Sequence, residues 1–266
     1  MVLMNANVVN EIRSFLLLMM LCYSSAMTAQ AVSDIPNEKK LFILLGQSNM
    51  AGRASIEKQD SLPLFMVKIL TDKGKFEIAK NPLNRYSNIR KKLALQKLGL
   101  GYTFAKRLSE EYQDTIFLIV NARGGTALEK FMRNDSTGYY EMTIFRIKQA
   151  LKERPDLKLS AIIWHQGESN RVCYKDYLKH LRILVDDYRR DLNAPELPFI
   201  VGEIGRWNQT YVNIVKQIVM IPDSISNAYL VSSEGLENID DFHFDSNSQR
   251  LLGNRYAEKY IEISTK

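Results

Sequence analysis

Three short segments, far apart in the chain, carry residue types that together can transfer an acyl group. Gly46-Gln47-Ser48-Asn49 offers a hydroxyl nucleophile and Trp164-His165-Gln166-Gly167-Glu168-Ser169 a side-chain amide; Asp240-Asp241-Phe242-His243 offers an imidazole with a carboxylate three residues away. A hydroxyl, a base with its orienting carboxylate, and donors for an oxyanion are the roles of a Ser/His/Asp hydrolase, whatever its fold or residue order.

Each piece also has a plainer reading. Ser48 follows an apolar run and is placed to cap a helix beginning near Asn49, yet a helix start also gives a nucleophile backbone donors. No Gly-Lys-Ser/Thr follows, so this is not a phosphate-binding loop, and Met50 stands where a nucleophile elbow needs its second glycine. Gly124-Gly125-Thr126 is either a tight strand-to-helix turn or the source of a backbone N–H, that of Gly125, aimed at an oxyanion. Gln166 is either an ordinary loop amide or, with the N–H groups of Ser48 and Gly125, a third donor. Glu168, with Gln47 and His165, reads as support that orients neighbouring polar groups.

Asp240 and His243 lie three apart, close enough on a helical turn or compact loop for carboxylate and imidazole to meet. His180 falls on an amphipathic helix between Lys179 and Arg182 and reads as solvated. With no H-x-x-x-H or C-x-x-C spacing among the histidines and cysteines, no metal site is expected, and a serine activated by histidine needs no cofactor.

The elements that must position these groups alternate. Leu41 to Leu45, Thr115 to Val120, Ser160 to Trp164, Phe199 to Val201 and Ala228 to Ser232 are short, nearly continuous apolar runs, the pattern of parallel strands buried on both faces. Amphipathic stretches lie between and after them: Tyr102 to Tyr112, Tyr140 to Lys152, Tyr174 to Arg190, Val212 to Ile221 and Ser246 to Ile263. Such alternation predicts an α/β fold with a doubly wound parallel sheet of about five strands. Ligands of these sheets bind beyond the carboxyl ends of the strands, where Ser48, Gly125 and Gln166 each follow a strand by a few residues. Asp240 and His243, in the loop before the last helix, reach the same edge.

The chain has 266 residues, 45% hydrophobic and 25% charged, with a formal net charge of +6. These values fit a globular domain, and no dense basic block interleaved with aromatics points to nucleic acid. Arg13, the apolar stretch Phe15 to Cys22 and the small residues ending in Ala29-Gln30-Ala31 have the layout of a secretory signal. The apolar stretch is too short to span a bilayer. Cleavage after Ala31 leaves residues 32–266 as one exported domain without stable membrane insertion. Only Cys173 of the two cysteines then remains, so no internal disulfide forms.

Gly46-Gln47-Ser48-Asn49-Met50-Ala51-Gly52-Arg53, Gly124-Gly125-Thr126, Trp164-His165-Gln166-Gly167-Glu168-Ser169 and Asp240-x-x-His243 together resemble the sequence blocks of the SGNH hydrolase superfamily. Within it they are similar to the carbohydrate esterase family six and sialate O-acetylesterase-like branch, in order from about Leu41 to about Tyr260. The resemblance implies a flavodoxin-like three-layer α/β/α fold, Ser48 as nucleophile, His243 as base and Asp240 as its partner. It also implies an oxyanion hole of Ser48 N–H, Gly125 N–H and the Gln166 side chain. The substrate it implies is an O-acetylated carbohydrate, a xylan-type polysaccharide or an O-acetyl sialic acid; an esterase for other acyl groups and a silent glycan-binding protein are the alternatives. Family members tend to carry Trp a few residues beyond Gly-Gly-Thr, where this chain has Phe131. Phe131, Tyr139, Tyr140, Trp207 and Tyr211 are candidates for a sugar-stacking surface, and equally for core.

Overall fold

In the computed structural model, residues 38–265 are described; the signal segment expected at 1–31 lies outside them. Strand β1 (Lys39–Gly46) is buried from Leu41 onward. Leu41, Ile43 and Leu45 enter the core on one face of the sheet, and Phe42 and Leu44 enter the core on the other. A strand apolar at every position, rather than at alternate ones, is the signature of a central parallel strand covered on both sides.

Six further strands complete the sheet: β2 (Leu64–Leu70), β3 (Phe76–Ala79), β4 (Ile116–Ala122), β5 (Leu157–His165), β6 (Phe199–Gly202) and β7 (Ala228–Val231). Their spatial order is β3-β2-β4-β1-β5-β6-β7. All pairs are parallel except β2 with β3. The five strands expected from sequence are β4-β1-β5-β6-β7, the 2-1-3-4-5 order of a flavodoxin-like sheet. The sheet is therefore larger than the expected five strands, because a hairpin inserted after β1 extends its edge beyond β4. Helices α2 (Gly101–Tyr112) and α7 (Ser246–Ser264) cover one face. On the other lie α3 (Tyr139–Glu153), α4 (Tyr177–Asp191) and α5 (Val212–Val219).

The helix expected at Val212 to Ile221 ends at Val219, and a separate short helix α6 (Ile221–Ser224) follows with Pro222 in its first turn. The stretch expected to begin at Tyr174 becomes helical only at Tyr177. The last helix matches its expected span, started by Asp245, whose carboxylate accepts from the Ser248 N–H at 2.7 Å. No helix among the described residues is long and apolar enough to cross a membrane.

The chain order reverses between β1 and β5, and a doubly wound sheet opens a crevice at such a point. β1 runs out at Gly46 and β5 at His165, a registered pair. A Cβ on Gly46, whose φ is +141°, would lie 2.1 Å from the His165 carbonyl oxygen, so only glycine permits this approach. The Gln47 N–H then donates to that same oxygen at 3.0 Å.

Candidate active site

Ser48 is the first residue of a single helical turn, α1 (Ser48–Ala51), and is buried. The cap position before this turn is held by Gln47 and not by Ser48, which removes the plain reading of this serine. The Ser48 and Gly125 N–H groups enter no backbone hydrogen bond among the described residues. Gly125 has φ +65°, a left-handed conformation suited to glycine, and a Cβ on Gly124 would sit 3.3 Å from the Ser48 Cβ. Gly124 is thus packed against the Ser48 turn.

The loop after β7 carries Asp240 and His243. Asp240 Oδ2 pairs with His243 Nδ1 at 2.8 Å, while Asp240 Oδ1 accepts from the Phe242 and His243 N–H groups, each at 2.8 Å. Burial pushes the Asp240 carboxyl upward, but the hydrogen bonds from the His243 ring and the Phe242 backbone outweigh it and hold the pKa below its ordinary value. The neighbouring Asp241 contributes only its carbonyl, which accepts from Trp207 Nε1 and Tyr211 Oη at 3.1 Å each.

Ser48, Gly125, Glu168 and His243 line one cleft of about 350 Å³, together with Gln47 and Gly124. Arg53, Lys91 and Arg171 line it too, and none of the three has a carboxylate within ion-pair distance among the described residues. Arg53 donates only to the Gly52 and Leu95 carbonyls, and burial lowers its pKa. Arg171 donates to the Glu168 carbonyl and lies 5.6 Å from the Phe242 ring centre.

Several expected roles change. Gln166 is fully buried and does not line the cleft. Its Nε2 donates toward Asn170 Oδ1 at 2.7 Å, the Thr126 carbonyl at 3.2 Å and Gln47 Oε1 at 3.3 Å. With two N–H groups engaged by three acceptors, it has no donor left for an oxyanion. Phe131 is core, edge-on to Trp164 with ring centres 5.4 Å apart, and Tyr140 and Tyr211 are buried. None of the five aromatics proposed for stacking lines the cleft; the aromatic that does is Phe242.

The supporting residues lie close behind. His165 is fully buried, burial lowering its pKa to about 3; its Nδ1 meets Tyr256 Oη at 3.2 Å. Since Tyr256 Oη donates to the Trp164 carbonyl at 2.7 Å, it accepts from a neutral imidazole protonated on Nδ1. Glu168 is pushed up to about 7 by burial, against the hydrogen bonds it accepts from its own and the Gly167 backbone and from Asn49. His180 contacts Glu129 Oε1 at 3.3 Å, away from the cleft. No group of three or more His, Cys, Asp or Glu able to hold a metal occurs among the described residues.

Sequence reasoning missed Arg53, Lys91, Arg171 and Phe242 as cleft residues, and Asn49 as the link between the Ser48 turn and the His243 loop. Arg53 and Asn49 lie inside the first block, and their proximity to Ser48 was the available signal.

Comparison with known proteins adds to this geometry. The chain is 28% identical over 250 residues to a probable carbohydrate esterase of Arabidopsis thaliana, covering 86% of this chain and 92% of that protein. The crystal structure of the product of the same Arabidopsis locus superposes with a TM-score of 0.76 at 26% identity, covering 85% and 98% of the two chains. NanS superposes at 0.68 with 17% identity, covering 86% and 98%, and shares the fold. The sequence profile of carbohydrate esterases of the sialic acid-specific acetylesterase type matches residues 38–262, nearly all of the described chain, and this protein belongs to that family.

Proposed function

We propose that this carbohydrate esterase removes O-acetyl groups from a carboxylate-bearing sugar through an acetyl-Ser48 intermediate. The observation that carries the reading is one cleft holding Ser48, the Asp240-paired His243 and three cations without carboxylate partners. Asp240 keeps the proton on His243 Nδ1, leaving Nε2 to take the Ser48 proton as Oγ attacks the acetyl carbonyl. No hydrogen bond joins Ser48 to His243 in the structure, and such contacts commonly tighten only when substrate binds. The Ser48 and Gly125 N–H groups receive the developing oxyanion. The imidazolium returns its proton to the departing sugar oxygen; water, activated by the same base, then releases acetate and frees Ser48.

The choice of sugar follows from charge. A half-buried guanidinium without a counter-ion is costly, and an anion arriving with the substrate offsets that cost. The name of the matched family, with its reference to sialic acid, supports an acidic substrate over neutral xylan. Acetate release from O-acetyl sialic acid and from acetylated xylan tests this directly. The acidic sugar should be favoured, and Lys91→Ala and Arg171→Ala should each raise its KM about tenfold while sparing a neutral aryl acetate. Preference for xylan, or no effect of the cations, would return the reading to a neutral polymer. Rates should also fall steeply from acetyl to butyryl esters, the opposite of what a lipolytic esterase gives.

Export remains part of the proposal. Arg13, the apolar stretch and Ala29-Gln30-Ala31 support action outside the cytoplasm. Amino-terminal sequencing of the mature protein should begin at Val32.

A further inference from the structure

We propose that the third oxyanion donor is the carboxamide of Gln47, and that Gln166 is the residue that aims it. The proposal rests on Ser48 as nucleophile. Gln47 lines the cleft next to Ser48 and is only 2% exposed. Its Oε1 accepts from the Ser169 N–H at 3.3 Å and from Gln166 Nε2 at 3.3 Å. Both partners are donors, so the end of the amide that meets them has to be the oxygen; a flipped amide would set N–H against N–H. Nε2 is the end left over, and no acceptor meets it among the described residues.

Nε2 is not among the buried polar atoms left without a partner, so it opens on the cleft and is free to donate there. Its partner arrives with the reaction, as the carbonyl oxygen of the acetyl group gains charge. Gln166 cannot take this role without giving up one of its acceptors, since its two N–H groups are already shared among Asn170, Thr126 and Gln47. The strand ends enforce the arrangement. Gly46 allows β1 to close on His165, and the backbone hydrogen bond from Gln47 to His165 then sets the two glutamine loops side by side. The oxyanion thus meets two backbone donors, on Ser48 and Gly125, and one side-chain donor contributed by the residue just before the nucleophile.

The test compares Gln47→Glu, Gln47→Ala and Gln166→Ala with wild type on an aryl acetate, with melting temperatures measured alongside. Gln47→Glu retains both hydrogen bonds that Oε1 accepts and turns the donor end into an acceptor that carries negative charge when ionised; Gln47→Ala removes the donor without adding charge, and the melting temperatures show whether each variant folds. The expected result is a loss of about 10² to 10³ in kcat for Gln47→Ala, at least as much for Gln47→Glu, and KM within about threefold. Gln166→Ala should lose less kcat than Gln47→Ala and lower the melting temperature more, because it vacates a buried network. Wild-type kcat in Gln47→Glu, a rise in KM alone, or a folded Gln166→Ala protein more impaired than Gln47→Ala would overturn the inference. If instead wild type releases no acetate, or Ser48→Ala retains activity, the nucleophile reading fails and the donor assignment falls with it.

Discussion

Asn49 brackets His243 through the backbone on either side of it: Asn49 Nδ2 donates to the Phe242 carbonyl at 3.0 Å, and Asn49 Oδ1 accepts from the Phe244 N–H at 3.2 Å. The same carboxamide also donates to Glu168 Oε1 at 2.6 Å and accepts from Gln249 Nε2 at 3.2 Å. Since Asn49 follows Ser48 directly, one fully buried side chain fixes the spacing of Ser48 and the His243 loop. Asn49→Ala should therefore cost about 3 kcal/mol of stability, from buried groups left unpaired. It should also lower kcat about 10²-fold, because a base displaced by an ångström loses its geometry. Urea unfolding and steady-state kinetics on the same preparation check both numbers, and a variant with wild-type kcat would show that the base loop holds its place without this clamp.

The two adjacent aspartates separate cleanly. Asp240 accepts from the His243 ring and from two backbone N–H groups, whereas Asp241 uses only its carbonyl and leaves its side chain exposed. Asp240→Asn should lose about 10³ to 10⁴ in kcat, because an amide presents the wrong partner to Nδ1–H. Asp241→Asn should stay within about threefold of wild type. Reversed outcomes would shift the carboxylate assignment by one residue.

Ser48→Ala and His243→Ala should each lose on the order of 10⁵ in kcat, since nucleophile and base act as a unit. Circular dichroism and melting curves should match wild type, as neither side chain anchors the core. Retained activity in Ser48→Ala would remove the covalent mechanism.

The parallel strands were legible because burial on both faces leaves continuous apolar runs such as Leu41 to Leu45. Strands β2 and β3 were not, because β2 turns Phe65 outward at 70% exposure and β3 is only four residues long. That Asp240 would pair with His243, and that His243 would reach the edge where Ser48 lies, was readable from chemical type, topology and the three-residue spacing. Gln47 and Gln166 were indistinguishable in sequence, since both are amides in loops after strands and only the direction of their hydrogen bonds tells them apart. Phe131 and Tyr140 went to the core because aromatic rings contribute the same apolar area whether they meet sugar or a neighbouring ring. The cations of the cleft come from three separate loops, so no local pattern announces them.

Glu168 predicts an unusual pH dependence of stability. Its carboxyl is raised from 4.5 to about 7 in the folded protein, chiefly by burial. A raised acid stabilises the fold fully below the unfolded pKa, and that contribution is lost as pH climbs through the folded pKa; here the window is roughly pH 4.5 to 7. The shift amounts to about 3 kcal/mol at 1.36 kcal/mol per pKa unit. His165 has the opposite sign: lowered from 6.5 to about 3, it destabilises the fold as pH falls through that range. In wild type the two slopes oppose one another between about pH 4.5 and 6.5 and leave a shallow profile. Glu168→Gln removes one of them. Oε2 of Glu168 has no partner, so an amide placed there carries a penalty of its own, but one independent of pH. Chemical denaturation from pH 4 to 8 should then show the variant gaining about 3 kcal/mol relative to wild type as pH rises from 4.5 to 7, with the His165 slope exposed beneath. A difference that stays constant across this range would mean that Glu168 ionises in the folded protein as it does in the unfolded one.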